Sequence, residues 1–97
     1  MTDHLETRAI LAGRPGGDAD LAPVMHPSTT FELESVDEGR AMATSTGSTT
    51  FYSRYGNPSV AAFESAVADL EGAEAARAFA SGMGAMAAVV LGLCSTG

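Results

Sequence analysis

Two short stretches carry the groups best suited to gripping an anion. The first is Ala80-Ser81-Gly82-Met83-Gly84. Taken as a glycine turn that opens a helix, it aims unpaired backbone N–H groups at one point, and the helix dipole adds positive potential there. Gly82 has no Cβ, so an oxygen can approach its backbone closely. A tight turn with glycines chosen for packing accounts for the same residues without a ligand. The second stretch is Phe51-Tyr52-Ser53-Arg54-Tyr55-Gly56-Asn57-Pro58. If it is extended, Tyr52 and Arg54 project to one side. A phenol and a forked guanidinium can there donate to one phosphate. The competing account of Arg54 is an exposed side chain in ordinary surface ion pairing.

The elements that must position these groups follow from local signals. Residues 1–30 are expected to form an extended arm. Pro15, Gly16 and Gly17 break any helix begun at His4, and Pro23 and Pro27 keep the chain extended. Ser35 and Glu38 are spaced as a capping box, with Asp37 and Glu38 at the positive end of the dipole. The short helix they start should end near Thr44, before the Ser/Thr/Gly-rich loop 44–50. Asn57 and Pro58 then cap and open a second helix. Val60, Phe63, Val67 and Leu70 form its apolar stripe, and Gly72 ends it. Residues 75–80 read as a short strand, followed by the 81–84 turn and a buried helix over 85–93.

Helix, strand, glycine turn, helix is the rhythm of an α/β layered fold. A parallel sheet needs several strands with helices on both faces, and about one is legible here. The sheet is therefore expected to be incomplete and the chain to be the opening of a domain. Residues 1–50 form the arm with its short helix, and residues 51–97 begin the α/β unit.

Composition narrows the function classes. The chain has 97 residues and a net charge of −7. All of its basic residues are arginine, and lysine is absent. The acidic balance argues against a nucleic-acid partner, whose phosphates need a basic face, and gives no polybasic patch for anionic lipid. The low-charge run 79–94 is interrupted by glycines and is shorter than the ~20 residues of a membrane span. The N-terminus alternates charged and apolar residues, unlike a secretory signal. These features point to a soluble, cytoplasmic chain. Cys94, the single cysteine, can form no internal disulfide and is expected to be buried and inert. His4 and His26 lie beside no other candidate ligand, so no metal site is expected.

The segment Tyr52-Ser53-Arg54-Tyr55-Gly56-Asn57-Pro58-Ser59 closely resembles the Tyr-x-Arg-x-x-Asn-Pro-Thr stretch of the Cys/Met metabolism (transsulfuration) pyridoxal-phosphate enzymes. That family includes cystathionine γ-synthase, cystathionine γ-lyase, methionine γ-lyase and the homoserine sulfhydrylases. Leu70-Glu71-Gly72 and Ala80-Ser81-Gly82-Met83 match its Leu-Glu-Gly and Ala-Ser-Gly-Met blocks in order and separation. Thr7-Arg8-Ala9-Ile10 and Pro27-Ser28-Thr29-Thr30-Phe31 look like its N-terminal arm, and Ser59 stands where the family has Thr.

The resemblance implies a fold-type I transferase large domain, preceded by an arm that clasps an adjoining subunit in a homotetramer. It implies pyridoxal 5′-phosphate as cofactor. Backbone amides of Gly82 and Met83 would hold its phosphate, and Tyr52 and Arg54 would hold the same group from the neighbouring subunit. The implied substrates are small amino acids changed at Cγ, such as cystathionine, activated homoserine or methionine. The family's Schiff-base lysine has no counterpart among these residues. The chain alone is therefore expected to carry no catalytic residue and to be inactive. The alternative is a non-catalytic phosphate-binding or assembly module related to that family.

Overall fold

The computed structural model describes residues 4–14 and 19–96. Four helices follow in chain order: α1 (Leu5–Leu11), α2 (Val36–Thr44), α3 (Pro58–Glu71) and α4 (Gly82–Leu93). The two middle helices begin and end where local chemistry places them. Ser35 accepts from the Glu38 N–H at 3.1 Å. Glu38 reaches back one residue further than a capping box requires, accepting from the Glu34 N–H at 2.6 Å. At α3, the Asn57 side-chain oxygen Oδ1 accepts from the Ser59 N–H at 2.9 Å and Pro58 fills the first turn. Gly72 adopts φ 64°, and Ala73 and Gly72 donate to Ala68 and Asp69 as a Schellman motif.

The arm is not uniformly extended. Residues 5–11 form a helix that packs on α3, the only helix pair in contact among the described elements. Pro15, Gly16 and Gly17, read as breakers, lie outside the described residues. The arm meets α3 at Ala62, Ala66 and Asp69, which share one face of that helix. Gly13 lies against the Ala62 carbonyl and the Ala66 methyl, and Arg8 bonds the Asp69 carboxylate at 3.3 Å and its carbonyl. The stripe is left open: Val60 and Phe63 are exposed, and Val67 and Leu70 are half-buried.

No strand is present among the described residues, where an isolated antiparallel bridge joins Thr30 to Tyr52. Residues 75–80, expected as a strand, are irregular. A strand exists only through its ladder partners, and here the Ala78 N–H donates to the Glu64 side chain at 2.8 Å instead. α4 also departs from expectation. It starts at Gly82 rather than 85, so the glycine segment is its first turn, and Met83, Met86, Leu91 and Leu93 on it are exposed. Cys94, at its C-cap, is exposed rather than buried.

No apolar side chain is buried among the described residues. The chain exposes 7908 Å², where a folded monomer of its mass would expose about 5,200 Å². Much apolar surface is thus available for burial against other protein. No helix among the described residues is long and apolar enough to cross a membrane.

Candidate functional site

The N-terminus of α4 presents two free donors. Ser81 is its N-cap, and its hydroxyl accepts from the Gly84 N–H at 3.0 Å. The Ala85 N–H bonds the Ser81 carbonyl at 3.1 Å. Among the described residues no acceptor faces the N–H groups of Gly82 and Met83. A Cβ built on Gly82 would meet nothing within 4 Å, so the approach is open. Two unpaired amides at the positive end of a helix can receive an anion. Ser81→Ala should remove the cap and cost ~1 kcal/mol. A fall of the thermal midpoint in the complete protein checks this, and an unchanged midpoint would count against the cap.

Tyr52 and Arg54 are brought together by a turn rather than by strand alternation. The N–H groups of Tyr55 and Gly56 both donate to the Tyr52 carbonyl, at 2.9 and 3.2 Å. The chain therefore folds back, and the Arg54 guanidinium lies 4.9 Å from the Tyr52 ring centre and 5.8 Å from that of Tyr55. Tyr55 in turn stacks on Phe51. Among the described residues, the ion pairs involve Arg8, Arg40 and Arg77, and Arg54 makes none. The guanidinium charge lies against these two rings and has no carboxylate partner among the described residues, so it can still receive an anion.

The structure does not join the two donor sets. No hydrogen bond or ring contact among the described residues links Tyr52 or Arg54 to Gly82 or Met83. A cleft of about 830 Å³ includes Arg54, Tyr55, Glu64, Arg77 and Ala80 in its wall, but not Tyr52, Gly82 or Met83.

Ser53 and Ser59 matter more than sequence reasoning gave them. Ser53 donates through its N–H to the Thr29 carbonyl at 2.8 Å and through its hydroxyl to the Ser28 carbonyl. The Ser59 hydroxyl accepts from the His26 N–H at 2.8 Å. Serine retains the hydroxyl of the threonine expected at position 59, and this hydroxyl docks the arm. The available signal was the second half of the Asn57 amide: an N-cap uses its oxygen and leaves an NH₂ seeking acceptors.

Comparison with known proteins places these residues in context. The family model described as Cys/Met metabolism PLP-dependent enzyme matches residues 6–97. The chain is 40% identical over 97 residues to an L-methionine gamma-lyase of Streptomyces avermitilis, covering 90% of this chain and 23% of that protein. It is 38% identical over 93 residues to the L-methionine gamma-lyase of Pseudomonas putida, covering 94% of this chain and 23% of the relative. Over 46 residues it is 61% identical to an O-succinylhomoserine sulfhydrylase of Pseudomonas aeruginosa, covering 47% of this chain and 11% of that protein. The chain thus spans less than a quarter of the length of these relatives. No solved structure matches it significantly. The family is pyridoxal-phosphate dependent. The open Gly82 and Met83 amides fit the phosphate end of that cofactor. Its aldehyde end requires a lysine amine that these residues do not include.

Proposed function

Because this chain belongs to the Cys/Met metabolism PLP-dependent enzyme family, we propose that it is the amino-terminal region of an enzyme that breaks or exchanges bonds at Cγ of sulfur amino acids or activated homoserine. Its own task is to anchor the cofactor phosphate and to contact other subunits. The observation that carries this reading is the pair of open amides at the α4 N-terminus, preceded in the chain by an arginine without a carboxylate partner among the described residues that lies over a phenol ring.

The bound cofactor supplies an electron sink for bond changes on the amino-acid substrate. This chain's residues bind and orient it. The Gly82 and Met83 N–H groups donate to phosphate oxygens, with the α4 dipole favouring the negative charge. Arg54 presents its forked N–H groups to a phosphate, and its contact with the Tyr52 and Tyr55 rings restricts the side chain. Tyr52 adds a hydroxyl donor. In this reading Tyr52 and Arg54 serve the cofactor of a neighbouring subunit, as the resemblance implies, in a homo-oligomer such as a tetramer. The exposed apolar faces of α3 and α4 support burial against further protein. The setting is cytoplasmic, and neither nucleic acid nor membrane is a partner.

The test uses the complete protein loaded with pyridoxal 5′-phosphate. Offered methionine, cystathionine or an acylated homoserine, it should take up water and release a 2-oxo acid, ammonia and the Cγ leaving group by γ-elimination or, with cysteine or sulfide added as nucleophile, exchange that leaving group for a thioether or thiol by γ-replacement. Neither product from any of these substrates would refute the Cγ assignment. The isolated 97-residue chain should give no turnover. The absence of lysine favours one second reading for this chain alone, a non-catalytic phosphate-binding or assembly module.

A further inference from the structure

Asn57 is the buried polar side chain of the described residues, only 8% exposed, and its amide is used on every side. Its oxygen caps α3 through the Ser59 N–H at 2.9 Å. Its NH₂ donates to the His26 carbonyl at 3.0 Å and to the Ser53 hydroxyl at 2.9 Å. Ser53 sits between Tyr52 and Arg54 and is itself bonded to Ser28 and Thr29 of the arm. One amide therefore ties the first turn of α3, the arm and the Tyr52–Arg54 turn into a single unit.

We propose that Asn57 is a positioning residue that presents Tyr52 and Arg54 to the cofactor phosphate by locking their turn to the arm. The proposal rests on the phosphate reading of those two residues. The physical reason lies in ordering. An exposed arginine on a free loop must lose side-chain and backbone freedom when it grips an anion. A turn already fixed through Ser53 has met that cost before the cofactor arrives. The NH₂ group is what does this, because the cap at Ser59 needs only the oxygen.

This separation makes the role testable in the complete apo-protein. Asn57→Asp keeps an acceptor for the Ser59 N–H, so α3 stays capped. It replaces the donor facing the His26 carbonyl with another acceptor and breaks the link to Ser53 as it stands. Ser53→Ala cuts the same link from the other side without touching the cap. Each variant should weaken pyridoxal 5′-phosphate about five- to thirtyfold, the span of one or two lost hydrogen bonds. The double variant should lose less than the product of the two single losses, because both remove the Asn57–Ser53 bond while each removes one further bond of its own, to His26 and to Ser28.

Affinity for pyridoxal, which lacks the phosphate, should not change in either variant. General destabilisation would weaken both ligands alike, and that result would overturn the positioning role. Hydrogen exchange over residues 52–56 should quicken in both variants while α3 keeps its protection. Arg54→Ala serves as the reference. If it weakens the cofactor while neither Asn57→Asp nor Ser53→Ala does, the positioning role is refuted and the phosphate reading stands. If Arg54→Ala leaves affinity unchanged, the phosphate reading fails and this proposal fails with it.

Discussion

Replacing Arg54 with alanine in the complete protein is expected to weaken retention of pyridoxal 5′-phosphate about ten- to a hundredfold, the range for losing a charge-assisted hydrogen bond. Three observations set this expectation. The guanidinium has no carboxylate partner among the described residues, so its charge is uncommitted. It lies over the Tyr52 and Tyr55 rings, which restrict its orientation. Its removal leaves no cavity, since the side chain is exposed, and the fold should be nearly unaffected. Arg54→Lys should fall between alanine and arginine, because lysine keeps the charge but loses the fork and the flat stacking surface. Titration of the apo-protein with cofactor, with pyridoxal as the control ligand, measures this directly. Equal losses for both ligands would place the effect away from the phosphate and remove Arg54 from the site.

The second large effect belongs to the arm. Gly13 adopts φ +73°, and a Cβ there would overlap the Ala62 carbonyl oxygen and lie 2.9 Å from the Ala66 methyl. Left-handed backbone costs alanine roughly 1–2 kcal/mol. Overlap with a helix carbonyl typically adds ~1–3 kcal/mol, because backbone cannot move aside as a side chain can. Against this, the Arg8–Asp69 pair is partly exposed and contributes at most ~1 kcal/mol. Gly13→Ala should therefore release α1 from α3 rather than strain both. Hydrogen exchange of residues 5–11 should quicken sharply in the complete protein, with α3 itself retained. Unchanged protection there would mean that the Gly13 contact does not hold the arm. Asp69→Asn offers a graded comparison, since it removes the ion pair but keeps the carbonyl that Arg8 also bonds.

The arm and the candidate phosphate turn are mechanically one object. Residues 26–29 bond Ser53, Asn57 and Ser59, so the segment named for subunit contact also supports the Tyr52–Arg54 turn. Whatever moves the arm should be felt at that turn. This coupling was not legible in the sequence, because nothing local pairs His26 with a residue more than thirty positions away.

Caps and helix ends were decided by the sequence itself. Ser35 and Glu38, Asn57 and Pro58, and Gly72 act on backbone groups within a few residues, and they set α2 and α3 as expected. Family membership was equally legible, because several blocks in order are a property of the chain and not of its folding. The proximity of Tyr52 and Arg54 was anticipated for the wrong reason: a turn, not an extended segment, unites them. The early start of α4 was within reach too, since Ser81 is an ordinary N-cap. Other features belonged to tertiary structure alone. Residues 75–80 have the composition of a strand, but pairing is non-local, and among the described residues Glu64 takes the Ala78 N–H. The docking of α1 depends on Gly13 meeting two alanines of α3 about fifty residues away. The exposure of α4 and Cys94 depends on which surfaces lie against them. Local hydrogen bonds are written in neighbouring residues, whereas burial and pairing are written only in what the fold brings alongside.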